Sequence, residues 1–250
     1  MYFDTHCHLS LFSDIPSVIE KAKENSVNYI LAVSMYYKDN LNVLKLAETY
    51  PEVIPALGIH PIEAPNLTNV EEKLQSLEKL ILENEIGVLG ELGLDRYFVK
   101  TKQAWNKQEK IFRHFLEFAV KRDLVVNLHG KYAEKELFEV LSEYNLKSVV
   151  IHWFAGSPEL VQEGIKRNYF FSVTPEVFYS KRMRKLVELV PIEQLLSESD
   201  GPVKYKKPQK FVGEPALMER VVQEIATIKD LPLEKVERQV YKTAIEIFLK

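Results

Sequence analysis

Short runs of apolar, β-branched residues alternate with longer stretches of helical periodicity along the whole chain. The short runs predict strands at Tyr2–His6, Tyr29–Val33, Ile54–Ile59, Gly87–Leu92, Leu124–His129, Ser148–His152, Tyr169–Val173 and Leu195–Glu198. Between them, apolar positions recur on one helix face. From Asn106 to Lys121 that face carries Ile111, Phe112, Phe115, Leu116, Phe118 and Ala119. Pro16, Pro158 and Pro232 mark helix starts, the first two behind the capping residues Asp14 and Ser157. Strands that alternate with helices predict a parallel sheet. Eight such units in 250 residues close most simply into a TIM-type (β/α)8 barrel, one α/β domain over 1–250. A doubly wound open sheet is the competing arrangement. Nine glycines, with no Gly/Ser-rich run, offer no flexible linker that would divide the chain.

Composition adds bounds. The chain is 46% hydrophobic and 28% charged, enough for a large core. Its net charge of -3 means that attraction to a nucleic acid must come from a local patch and bound metal, not from the whole protein's field. The one cysteine, Cys7, allows no intramolecular disulfide and fits a reducing compartment. The start, Met1-Tyr2-Phe3-Asp4, shows no secretion signal, and no apolar stretch approaches the roughly 18 residues of a membrane span. The expected location is the cytoplasm.

The histidines carry the chemical information. Of six, His6, His60, His129 and His152 fall at the C-terminal ends of predicted strands or one residue beyond, and His8 follows His6 by two. Only His114 lies within a predicted helix. The C-terminal mouth is where barrel enzymes build their sites. Strand alternation points residues two apart the same way, so His6 and His8 can reach one ion, with Asp4 a layer below and Cys7 on the other face as a small buried group. Alone, such a pair is equally well explained as hydrogen-bonded core histidines. Glu91, in the apolar run Gly90-Glu91-Leu92-Gly93-Leu94-Asp95, needs a partner, and its carboxylate can bridge two cations. His129 and His152 end neighbouring strands beside it. Asp200, stopped by Gly201-Pro202 after the last strand, adjoins strand one on barrel closure and suits a ligand that also takes a proton from water. Glu198 is expected to orient a ligand from behind. The set His6, His8, Glu91, His129, His152 and Asp200 predicts a site for divalent zinc, manganese or magnesium.

The segments Phe3-Asp4-Thr5-His6-Cys7-His8-Leu9, Gly58-Ile59-His60-Pro61, Gly90-Glu91-Leu92-Gly93-Leu94-Asp95, His129, His152-Trp153-Phe154-Ala155-Gly156 and Glu198-Ser199-Asp200-Gly201-Pro202 resemble the TatD family of metal-dependent deoxyribonucleases, within the amidohydrolase superfamily. The resemblance covers nearly the whole chain, in order. It implies a distorted barrel with two divalent metals, one held by His6, His8, Glu91 and Asp200, the other by Glu91, His129 and His152. It implies nuclease activity on DNA, in some members 3'-to-5' exonucleolytic. Departures fall on the expected substrate rim. The family's His-x-Arg is His129-Gly130-Lys131, its Cys-Phe-Ser is Trp153-Phe154-Ala155, its second histidine after His60-Pro61 is Ile62, and its Asn near the C-terminal end is replaced around Thr243.

For DNA, single-stranded or at a 3' end, the sequence offers Lys100 and Lys102, Lys131, a cluster at Lys181, Arg182, Arg184 and Lys185, and Lys204, Lys206, Lys207 and Lys210 interleaved with Tyr205 and Phe211 as base platforms. Charge runs are more often solvated faces. Lys131, Lys204 and Lys206 are the expected phosphate contacts, and His60 is either a phosphate contact or a core residue. The alternative enzyme is a small-molecule amidohydrolase or phosphoesterase on the same centre. A non-catalytic binding module fits poorly with a complete ligand set.

Overall fold

The computed structural model describes residues 1–206 and 210–249, so the expectation for Lys207 lies outside the described residues. In chain order the elements are β1 (Tyr2–Cys7), α1 (Ile15–Glu24), β2 (Val27–Val33), α2 (Asn40–Thr49), β3 (Val53–Ala56), α3 (Val70–Glu83), β4 (Val88–Asp95), α4 (Lys102–Arg122) and β5 (Val125–Lys131). They continue with α5 (Glu134–Leu141), β6 (Ser148–Ile151), α6 (Pro158–Lys166), β7 (Phe170–Val173), α7 (Lys181–Leu189) and β8 (Leu195–Ser197). A hairpin, β9 (Lys204–Tyr205) and β10 (Phe211–Val212), precedes α8 (Met218–Lys229) and α9 (Leu233–Phe248). The eight strands expected from the pattern all form, although β3 ends at Ala56 and β8 at Ser197, short of the expected Ile59 and Glu198.

β1–β3 and β4–β8 form two parallel sheets in sequence order. Two seams join them. Leu57 pairs with Leu89, with Gly90 N donating to Leu57 O at 2.9 Å. On the other side Cys7 pairs with Gly201, Asp200 N donates to His6 O at 2.9 Å, and His8 N to Gly201 O at 2.8 Å. The strands therefore close into a distorted (β/α)8 barrel, and the open-sheet alternative fails. At the first seam Gly58 is required, since a Cβ there would lie 2.8 Å from the Gly90 carbonyl carbon.

Two hydrophobic clusters fill the molecule. Phe3, Leu31, Val33, Ala56, Val88, Val125, Val150 and Leu196, from seven strands, meet inside the ring, and Ala244, Ile247 and Phe248 of α9 join them. Residues from so many strands can touch only within a closed barrel. The larger cluster lies between strands and helices; the predicted face of α4 is buried there through Ile111, Phe112, Phe115, Leu116 and Ala119. Burial of each such side chain contributes about 1.5–3 kcal/mol. Asp14 caps α1 by accepting from Ser17 N at 3.2 Å, and Ser157 caps α6, in keeping with their spacing. No helix among the described residues is long and apolar enough to cross a membrane.

Strict alternation breaks twice, and both breaks serve the site. Phe3 belongs to the inner cluster and Cys7 to the outer one, although alternation would give them one face. The pairing of β1 shifts between Asp4 and Cys7. Likewise Val88 is inner and Leu92 outer, with a shift between Leu89 and Leu92. These irregularities, which work as bulges do, turn His6, His8 and Glu91 toward the barrel axis.

Candidate metal centre

Glu91 is buried at the middle of the barrel mouth, and its two oxygens face different groups. Oε1 lies 2.8 Å from His129 Nδ1, 3.0 Å from His152 Nε2 and 3.4 Å from His60 Nε2. Oε2 lies 3.2 Å from His8 Nε2 and 3.4 Å from His6 Nε2. Asp200 Oδ1 completes that second side, 3.6 Å from His6 Nε2 and 3.7 Å from His8 Nε2. Among the described residues, three overlapping groups are compact enough to hold an ion: His6, Glu91 and His152; His6, His8 and Asp200; His60, Glu91 and His129. His6 and His152 stack with ring centroids 3.9 Å apart.

The surroundings fix which ring nitrogens are free. Asn127 Nδ2 donates to Thr5 O at 3.1 Å, so its Oδ1, 2.7 Å from His6 Nδ1, accepts the ring proton there. His6 Nε2 is left with its lone pair, and among the described residues neither it nor Glu91 Oε2 has a hydrogen-bond partner. Two buried, unpartnered atoms of ligand type that face each other across 3.4 Å fit a cation between them. His152 has Nδ1 3.4 Å from Glu198 Oε1, an ion-pair distance without a hydrogen bond, and turns Nε2 to Glu91. Glu198 is itself held by Trp153 N at 2.9 Å and by the Ser172 hydroxyl at 2.5 Å. His129 is gripped from behind by Asp95 Oδ2, 2.9 Å from its Nε2. Such outer carboxylates orient metal-binding imidazoles. Sequence reasoning misses Asp95 and Asn127 in these roles. Asn127 leaves one usable signal, because it lies two residues before His129 on the same strand face.

His60 differs. Ile62 N donates to its Nδ1 at 3.0 Å, so the neutral ring carries its proton on Nε2 and donates it. Burial, opposed by Glu91 and aided by His129, lowers its pKa to about 4, which keeps the ring neutral. His60 thus points an N–H into the site. Burial alone would push Glu91 up, but the surrounding histidines, His60 and His152 first, hold it well below the usual carboxylate range. His152 is raised despite burial, because Glu91 and Glu198 face it. Raised imidazoles around a lowered carboxylate are an acid–base pairing that a cation would replace, since a ligand imidazole must give up its proton to bind.

The remaining expectations divide. Lys131 is half-buried at the rim, and Lys204 and Lys206 are exposed. Tyr205 corrects the platform expected around them: it is only 2% exposed, its hydroxyl donates to Ser199 O at 2.9 Å, and its ring stacks on Phe211, so it braces the mouth and presents no free face. The cluster after β7 also turns inward on itself, since Arg182 pairs with Glu176, Arg184 with Glu224 and Lys185 with Glu188. Cys7 is buried in the outer cluster and takes no part in the cage.

A parallel barrel whose mouth holds buried histidines and carboxylates in ion-sized groups defines the class of metal-dependent hydrolases. The family described as TatD related DNase matches residues 3–249, and the chain belongs to it. It is 30% identical over 262 residues to the human deoxyribonuclease TATDN3, covering 99% of this chain and 94% of that protein. It is 29% identical over 258 residues to YabD of Bacillus subtilis strain 168, named an uncharacterized metal-dependent hydrolase, with 99% of both covered. Among solved structures, the TatD homologue YJJV from Escherichia coli superposes with a TM-score of 0.86 at 23% identity, covering 100% of this chain and 98% of that one. The chain is thus a TatD-family metal-dependent hydrolase.

Proposed function

We propose that this protein is a deoxyribonuclease that uses two divalent ions, zinc, manganese or magnesium, to hydrolyse phosphodiester bonds of DNA, with single strands or 3' ends as its substrate and 3'-to-5' removal of nucleotides as its mode. The observation that carries the reading is Glu91, whose two oxygens face separate sets of histidines. In it His6, His8, Glu91 and Asp200 hold one ion, and Glu91, His129 and His152 the other. Ions bound there supply Lewis acidity to an attacking water and to the phosphate.

The chain's own groups do the rest. Glu91 bridges the two positions. Asp200 is the base, because its carboxylate lies on the mouth side against His6 and His8 and can receive a proton. His60 donates from Nε2 to a phosphate oxygen. Lys131, Lys204 and Lys206 hold the backbone on either side. Glu198, Asp95 and Asn127 fix the ring orientations of His152, His129 and His6. The whole chain, 1–250, acts as one domain, since ligands come from β1 and from the segment after β8 alike. The proposed location is the cytoplasm.

The test is a panel: protein stripped with EDTA, then restored with Mg, Mn or Zn, against labelled single- and double-stranded DNA, RNA, and small ester and amide substrates. The reading expects DNA cleavage that EDTA abolishes and one of these metals restores. Turnover of small esters or amides with no cleavage of DNA would favour the small-molecule hydrolase instead.

A further inference from the structure

Three large aromatic residues at the mouth are exposed without a structural reason. Tyr97 is 48%, Phe98 56% and Tyr132 67% exposed. They form one cluster. Tyr97 and Tyr132 stack with centroids 5.5 Å apart and planes 19° from parallel, and Phe98 meets Tyr97 edge-on at 4.7 Å. Tyr132 also has a φ of 54°, a left-handed conformation that an aromatic residue seldom adopts and that its outward side chain does not explain by packing.

Cations sit on this cluster. Lys131 Nζ lies 5.2 Å from the Tyr97 ring, 5.3 Å from Phe98 and 5.8 Å from Trp153, and Lys100 Nζ lies 5.3 Å from Tyr97. Among the described residues neither ammonium is ion-paired. The guanidinium of the same loop behaves otherwise: Arg96 is bound to Glu136 at 2.8 Å and lies over Trp105. The cluster is tied to the candidate centre by one carboxylate. Asp95 holds His129 through Oδ2, and its Oδ1 accepts from Phe98 N at 2.6 Å. Lys131 pairs with Asp95 across β4 and β5, two residues beyond His129.

We propose that Tyr97 and Tyr132, edged by Phe98, are a stacking platform for one unpaired nucleobase of a DNA strand whose phosphates reach Lys131 and Lys100. The proposal rests on the nuclease reading and adds the residues that would select an unpaired base. Lys131 and Lys100 lie over the Tyr97 ring, neither in an ion pair among the described residues, and Lys100 Nζ donates to Arg96 O at 2.9 Å. The more exposed Tyr132 ring offers a base a flat face beside cations for its phosphate, and aromatic faces hold bases with little regard to sequence. A base inside a duplex has both faces covered by its neighbours. Only a terminal or single-stranded base can lie on this platform, so single strands and frayed ends are preferred over blunt duplexes.

The test compares wild-type protein, Tyr97→Ala/Tyr132→Ala and the ring-preserving Tyr97→Phe/Tyr132→Phe. Substrates are a single-stranded oligonucleotide carrying 2-aminopurine, placed in turn at each of the last positions of its 3' end, the same strands with an abasic site there, and a small nitrophenyl phosphodiester. At one position, stacking should quench 2-aminopurine in wild type and in the phenylalanine variant, and not in the alanine variant. The alanine variant should lose roughly fivefold to hundredfold in kcat/KM on the intact strand and less than about twofold on the small diester. The abasic strand should impose a similar loss on wild type and little further loss on the alanine variant. A wild-type rate on the intact strand in the alanine variant, or an equal loss on the small diester, overturns the platform alone. A wild type that hydrolyses the small diester but neither binds nor cleaves DNA overturns the nuclease reading, and the platform with it.

Discussion

Asn127 lies fully buried on β5, and the orientation of His6 depends on it. Asn127→Leu keeps nearly the same shape while removing both its acceptor and its donor. The His6 Nδ1 proton and the Thr5 carbonyl each lose a partner, at 2.7 Å and 3.1 Å. An abandoned buried polar group costs about 1–3 kcal/mol, so the metal-free variant should be less stable by about 2–6 kcal/mol. A second effect arises only with metal. Loss of an outer partner weakens affinity about 10- to 100-fold, which removes a further 1.4–2.7 kcal/mol, roughly, of metal-linked stability at saturation. Urea unfolding in EDTA and in excess Zn or Mn, with calorimetric metal titration, separates the two. Phe115→Leu, in the core of α4, is the control and should show one deficit in both conditions. Equal deficits for Asn127→Leu with and without metal, or unchanged metal affinity, would refute the assigned role.

Asp200→Asn should abolish turnover while far-ultraviolet circular dichroism and most metal uptake persist; a wild-type rate removes Asp200 as the base. Lys204→Ala/Lys206→Ala should flatten the salt dependence of DNA binding, by roughly one unit of slope for each phosphate no longer held, and leave a small phosphodiester untouched, as titrations across a range of salt would show. Gly93→Ala should cost more than about 3 kcal/mol in denaturant unfolding, because Gly93 has a φ of 143° and a Cβ there would lie 2.0 Å from His129 O.

The barrel is legible in the sequence because two independent patterns agree: eight apolar runs at βα spacing, and histidines gathered at their C-terminal ends. The candidate ligands are legible because they gather toward the C-terminal ends of the strands, but the direction of His6, His8 and Glu91 is set by breaks in alternation that the sequence does not show. What the sequence hides depends on partners far along the chain. Asn127 matters because of His6, 121 positions away, and Asp95 because of His129, 34 positions on. Neither spacing points to its partner, although Asn127 shares a strand face with His129. Tyr205 misleads because a two-residue strand that turns its ring inward has no periodicity to detect. Tyr97, Phe98 and Tyr132 escape notice for the opposite reason, since an aromatic residue beside a strand reads as core until its exposure is known.

The seam between β1 and the segment after β8 gives the mouth a temporal order. Asp4 Oδ1 accepts from Ser199 N at 2.8 Å across 195 positions of sequence, and His6 and His8 bond to the backbone of Asp200 and Gly201. A nascent chain therefore holds its first two histidines idle until almost the whole barrel has been synthesised and its ends have met. An ion that prefers the finished cage then acts as a latch on that junction, slowing its reopening without any covalent link. Depletion of metal loosens the circle where it was last joined, so hydrogen exchange in β1 should quicken before exchange in β5 does.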